Sequence, residues 1–147
     1  MSAPAVVDVL LVEDNPADVE LTRRALRQAR VASPLATAAD GAEALDFVFA
    51  RGAYATRADA PPPRVIFLDL KLPKISGLEV LERLKGDPRT RGIPVVVLTS
   101  SAEAPDVARA YQLGANSYLV KPVDFEKFAD AVGQAGLYWI LLNRPPR

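Results

Sequence analysis

Five polar positions stand directly after short apolar runs. Glu13 and Asp14 follow the run that ends at Val12, and Asp69 follows Val65–Leu68. Thr99, with Ser100 beside it, follows the run 94–98, and Lys121 follows Ser117–Val120. Any one of them alone reads as a solvated cap or loop residue. Together they are three carboxylates, a hydroxyl and an amine at equivalent points of a repeating pattern. Crowded carboxylates repel one another and raise each other's pKa unless a cation sits among them. An all-oxygen ligand set in a chain without His or Cys suits a hard divalent ion, Mg2+ or Mn2+, that keeps several of its waters. A carboxylate can also act as a nucleophile toward phosphorus and form an aspartyl phosphate. Three anionic oxygens arriving on Asp69 would need the metal, an ammonium and a hydroxyl donor around them.

Such a set converges only if the elements bring it together. The pattern alternates strand and helix. A buried strand is expected at 6–12, then a helix opened by Asn15-Pro16 and running to about Arg30, with Val19, Thr22, Leu26 and Ala29 at helical spacing. A weaker strand covers 34–39, and Asp40 caps a helix from Gly41 to about Ala50. Residues 52–63, with a glycine and three consecutive prolines, read as an extended loop. The strand Val65–Leu68 is followed by a loop at 73–77. Next come a helix marked by Leu78, Leu81 and Leu84, a β-branched strand at 94–98, a short helix at 105–113, the strand Ser117–Val120 and a last helix from about Asp124 to Leu142. Continuous Val, Ile and Leu strands belong to a parallel sheet covered on both faces. The fold class is therefore α/β, five parallel strands with helices on both faces. Sites in such sheets form at the carboxyl ends of the strands, where the polar set lies.

Bulk properties narrow the function. The chain has 147 residues, half of them apolar, and equal numbers of acidic and basic side chains, 18 of each. That is about one domain's length, so residues 1–147 are expected to form a single domain. No basic run points to nucleic acid. Without Cys there is no disulfide or thiolate chemistry, and without His the chain cannot donate a phosphohistidine. No apolar stretch approaches the roughly 20 residues a bilayer span needs, and no basic-then-apolar leader is evident. A cytoplasmic protein without a membrane segment is expected.

The stretches LLVEDNP at 10–16, FLDLKLPKISG at 67–77, VVLTSS at 96–101 and LGANSYLVKP at 113–122 resemble the receiver domain of two-component response regulators, over essentially the whole fold. The resemblance implies a flavodoxin-like sheet in strand order 2-1-3-4-5. It implies that Asp69 is the phospho-acceptor, that Asp14 and Asp69 ligate Mg2+ directly, that Glu13 is held through water, and that the Lys71 carbonyl completes the protein's share. Thr99 becomes the switch hydroxyl, Lys121 the partner of a phosphoryl oxygen, and Tyr118 the aromatic whose rotamer reports the state. Tyr118 also reads simply as a half-buried strand aromatic. The Lys121–Pro122 bond is expected to be cis. The implied function is a phospho-accepting regulator served by a sensor histidine kinase, catalysing only its own phosphorylation and dephosphorylation, with no DNA-binding domain attached. A phosphorelay intermediate or phosphate sink is the alternative within the family. The loop before strand 3, the segment LPKISGLEVLERLK and the ending YWILLNRPP resemble the single-domain regulators paired with bacterial phytochrome kinases.

Two readings from other classes fare worse. An Asp-nucleophile phosphatase of the haloacid dehalogenase type wants a second Asp two residues after the first, where this chain has Lys71. A flavin carrier wants a hydroxyl- and Gly-rich loop after strand 1, where this chain has Glu13-Asp14-Asn15. The last helix adds one further expectation. Phe125, Phe128, Val132, Ala135, Trp139 and Leu142 form one apolar stripe toward the sheet. Leu137, Ile140 and Leu141 fall off it, which suggests a homodimer interface unless the tail at 143–146 folds back over them.

Overall fold

In the computed structural model, which describes residues 6–121 and 124–143, the alternating pattern becomes five strands and five α-helices. The strands are β1 (Val9–Val12), β2 (Leu35–Ala38), β3 (Val65–Leu68), β4 (Val95–Thr99) and β5 (Ser117–Val120). The helices are α1 (Pro16–Gln28), α2 (Gly41–Val48), α3 (Gly77–Gly86), α4 (Ala104–Gln112) and α5 (Phe125–Leu137). The sheet order is β2-β1-β3-β4-β5, and every neighbouring pair is parallel. The chain leaves β1 toward β2 and then crosses to β3 on the other side. The carboxyl ends of β1 and β3 therefore flank the switch point.

The apolar runs are continuous because both faces of the sheet are covered. Every residue of β1, β3 and β4 is buried. Side chains alternate along each strand. Leu10, Val12, Ile66, Leu68, Val95 and Val97 pack with Leu45 and Phe47 of α2 and with Val80, Leu81 and Leu84 of α3. Val9, Leu11, Val65, Phe67, Val96 and Leu98 pack with Ala25 and Leu26 of α1 and with Phe128 and Val132 of α5. Each buried Val, Leu, Ile or Phe among them contributes about 1.5–3 kcal/mol of transfer free energy.

Several boundaries differ from the sequence expectation. The first two helices end early, at Gln28 and Val48, in the same way. At the end of α1 the Val31 amide donates to Leu26 O and the Arg30 amide to Arg27 O. At the end of α2 the Arg51 amide donates to Asp46 O and the Ala50 amide to Phe47 O. This is the Schellman closure, with Arg30 (φ 62) and Ala50 (φ 52) in the left-handed place usually filled by glycine. Residues 52–63 are not simply extended, because Gly52–Arg57 forms 3-10 turns. The Tyr54 ring packs edge-on against Phe47 at 5.1 Å, and the Arg57 guanidinium lies over the same ring, 4.1 Å from its centroid.

The last helix changes phase. Tyr138–Leu142 is a π-helical turn closed by the Asn143 amide on Tyr138 O, five residues back. A wider turn rotates everything beyond it. Ile140, expected at an interface, is buried in the core, whereas Leu142, expected to face the sheet, is 74% exposed. Leu141 is exposed as expected at 66%, and Leu137 is half-buried against the core. The Lys121–Pro122 bond and the tail beyond Asn143 lie outside the described residues. No helix among the described residues is long and apolar enough to cross a membrane.

Candidate functional site

The carboxyl ends of the strands bring the polar set into one crevice. Sheet hydrogen bonding continues one residue past β1, β3 and β5. The Glu13 amide donates to Ala38 O at 2.9 Å, the Asp69 amide to Val12 O at 3.1 Å, and the Lys121 amide to Thr99 O at 2.7 Å. The acidic residues thus stand at fixed heights on the sheet rather than on free loops. Asn15 then caps α1 by accepting from the Ala17 amide at 2.9 Å, while its own amide donates to Glu13 Oε2 at 3.2 Å. Pro16 occupies the first turn, where its missing amide proton costs nothing.

Carboxylate oxygens of Glu13, Asp14 and Asp69 all lie within 4.8 Å of one another. Glu13 and Asp69 are buried, at 4% and 8% exposure, while Asp14 faces solvent. Lys121 Nζ lies among them. It donates to Glu13 Oε1, to Asp69 Oδ2 at 3.3 Å and to Asp18 Oδ2 at 3.0 Å. One ammonium among four carboxylates leaves an excess of negative charge. Burial, followed by the neighbouring Asp69, pushes the Glu13 carboxyl up to about 7 against the lowering effect of Lys121. Burial pulls the Lys121 ammonium down, but its hydrogen bonds to Glu13 and Asp18 outweigh this and its pKa is raised. A divalent cation fits such a site: the donors are all oxygen, grouped, and under-neutralised.

Two hydroxyl positions complete the crevice. Thr99 Oγ1 at the end of β4 is buried without a hydrogen-bond partner among the described residues. A hydroxyl in that position can donate to an incoming anion. Tyr118 is half-buried on β5 and donates its hydroxyl to Ser101 O at 2.8 Å. The backbone amide of Lys71 donates to Asp69 Oδ1 at 3.3 Å, which ties the loop after β3 to the carboxylate. The Lys71 side chain is exposed.

Three participants were not singled out in the sequence. Asp18 stands in the first turn of α1, which opens directly after Glu13-Asp14-Asn15, and that closeness in sequence was the available signal. Ser101 donates its hydroxyl to Asp106 Oδ2 at 2.5 Å, which fastens the start of α4 to the loop that Tyr118 grips. No short-range pattern marks that pair.

A doubly wound parallel sheet with an acidic crevice at its switch point, one lysine and one unpaired threonine define a phosphoryl-accepting signalling domain. The chain belongs to the response regulator receiver domain family, whose model matches residues 9–133. It is 41% identical over 138 residues to the probable methanogenesis regulatory protein FilR2 of Methanothrix harundinacea, covering 94% of this chain and 86% of that one. Among solved structures it is similar to the phosphorylated cyanobacterial phytochrome response regulator RcpA. The TM-score is 0.87 at 36% identity, over 97% of this chain and all of the other. It is also similar to the bacteriophytochrome response regulator AtBRR, with a TM-score of 0.75 at 48% identity, over 96% of this chain and all of that one. The family is a signalling regulator rather than a classical enzyme, and accepting a phosphoryl group is the role this chain shares with it.

Proposed function

We propose that Asp69 accepts a phosphoryl group from the phosphohistidine of a sensor histidine kinase, with Mg2+ (or Mn2+) held by Asp14, Asp69, the Lys71 carbonyl and, through water, Glu13. The observation that carries this is the place of Asp69. It is nearly buried at the end of the central strand, within 4.8 Å of the other two acidic ligands and 3.3 Å from Lys121 Nζ. An Asp69 carboxylate oxygen attacks phosphorus, forming the O–P bond. The donor's P–N bond breaks, and the imidazole nitrogen keeps the electron pair. A divalent cation held by these residues would supply charge neutralisation for the phosphoryl oxygens. Lys121 turns part of its hydrogen bonding from Glu13 and Asp18 to a phosphoryl oxygen. The unpaired Thr99 hydroxyl gains its partner there, and Tyr118 gives up Ser101 O as the β4–α4 loop follows.

The chain then catalyses only its own phosphorylation and dephosphorylation, in the cytoplasm where its kinase presents the donor. Similarity to RcpA and AtBRR supports a phytochrome kinase as that partner. The exposed Leu141 and Leu142 beside α5 support a homodimer. Labelling with acetyl phosphate and Mg2+ tests the assignment of the acceptor. The wild type should take up label and Asp69→Asn should not. Equal labelling of the two would show that another residue is the acceptor.

A further inference from the structure

The loop leaving Asp69 is seated on two glycines, and only one of them belongs to it. At its far end, a methyl group on Gly77 would lie 2.5 Å from Leu70 Cα and 2.9 Å from the Asp69 carbonyl carbon, so α3 starts directly under the acidic residue. The middle of the same loop rests on α2, an element that contributes nothing to the acidic cluster. A methyl group on Gly41 would lie 2.8 Å from the Ile75 carbonyl carbon and 2.9 Å from Ile75 Cβ. Side-chain carbons do not approach neighbours that closely, so backbone would have to move. The Gly41 amide also donates to Pro73 O at 3.3 Å, and Asp40 Oδ2 lies 3.4 Å from Lys74 Nζ.

The α2 side of this contact is stiff. Asp40 Oδ1 accepts from the Glu43 amide at 2.7 Å. Glu43 accepts from the Ala39 amide at 2.8 Å and from the Tyr54 hydroxyl at 2.5 Å. With the first turn of α2 braced from three directions, the loop is the part that yields. Its displacement reaches the acceptor directly, since the Lys71 amide is hydrogen-bonded to Asp69 Oδ1.

We propose that Gly41 is a positioning residue for the metal and phosphoryl site. Its lack of a side chain lets the 73–75 backbone seat on α2, and that seating sets where the Lys71 backbone and the Asp69 carboxylate stand. The inference rests on the reading of Asp69 and its metal given above. Mg2+ and Mn2+ demand closely defined ligand placement, and disturbing the supports of metal ligands costs about 10–100-fold in affinity.

The test compares Gly41→Ala with Gly133→Ala on α5, where a methyl group would meet Ala29 Cβ at 2.7 Å, a clash with a side-chain carbon rather than with backbone, on a helix that supplies none of the acidic residues. Calorimetry gives the Mn2+ dissociation constant, acetyl phosphate labelling gives the Mg2+ needed for half-maximal rate, and urea unfolding gives stability. Gly41→Ala should bind Mn2+ about tenfold more weakly or worse and need correspondingly more Mg2+. Gly133→Ala should lose stability while keeping its metal affinity. Wild-type affinity in Gly41→Ala, or an equal loss in both variants, would overturn the proposal. Should Gly41→Ala not fold, Asp40→Ala takes its place, because it releases Lys74 and uncaps α2 without a clash. Weaker Mn2+ binding in that variant supports the proposal and unchanged binding overturns it. A wild type that neither binds Mn2+ nor is labelled would instead overturn the reading of the site itself.

Discussion

Charge balance around Lys121 sets what each residue of the crevice can do. Its ammonium touches Glu13, Asp18 and Asp69, so it stands as the counter-ion of three carboxylates. Lys121→Ala should still accept phosphoryl from acetyl phosphate, because the metal dominates neutralisation. It should fail to propagate the change, since nothing then draws the phosphoryl oxygens toward β5. The Tyr118 ring signal in NMR, with and without beryllofluoride, reads this out. Complete loss of labelling would show the roles to be divided differently.

Glu13 supplies a pH dependence. Its carboxyl goes from an ordinary value of 4.5 to about 7 in the folded chain, so the folded state binds more protons than the unfolded one between those values. Without metal, its contribution to stability falls as pH rises through that window. Metal competes with the same proton. Mn2+ affinity should therefore climb as pH rises toward 7, with proton release visible in buffers of different ionisation heat, and Glu13→Gln should flatten the curve. A flat wild-type profile would refute the proton's part in the site.

At the scale of the element, helix ends decide more than helix interiors. Arg30 and Ala50 sit at φ 62 and 52, where a side chain costs about 1–2 kcal/mol. Ala50→Gly should stabilise the domain by about 0.5–1 kcal/mol after the entropy cost of glycine in the unfolded chain is subtracted. Urea midpoints measure it, and a destabilised Ala50→Gly would mean that the strain is relieved in some other way. The π turn after α5 matters equally. It keeps Ile140 in the core, where Ile140 O also accepts from Arg64 Nη1 at 3.3 Å, and it puts Leu141 and Leu142 side by side in solvent.

For the whole molecule, that pair and the half-exposed Tyr138 put three large apolar side chains in solvent within the one π-helical turn. A two-fold axis would present each patch to its copy without a second evolved surface, and each leucine removed from water contributes about 1.5–3 kcal/mol. Sedimentation should show a wild-type dimer at tens of micromolar and a monomer for Leu141→Glu/Leu142→Glu. A wild type that stays monomeric with and without a beryllofluoride phosphate mimic would refute the interface.

Much of this was legible in one dimension. Strand and helix periods are local, and continuous Val, Ile and Leu runs require a doubly covered parallel sheet. A polar residue immediately after such a run must stand at the sheet's carboxyl edge, so the sequence alone groups Glu13, Asp14, Asp69, Thr99 and Lys121. Tertiary structure alone decided the rest. Asp18 meets Lys121 across 103 positions of sequence, and Gly41 meets Ile75 across a helix and a strand. No period in either segment encodes such a contact. Left-handed Arg30 and Ala50 carry no glycine signal, so the ends of α1 and α2 were invisible. Ile140 and Leu142 exchanged faces because the last turn is π-helical, with the Asn143 amide closing on Tyr138 O five residues back instead of four.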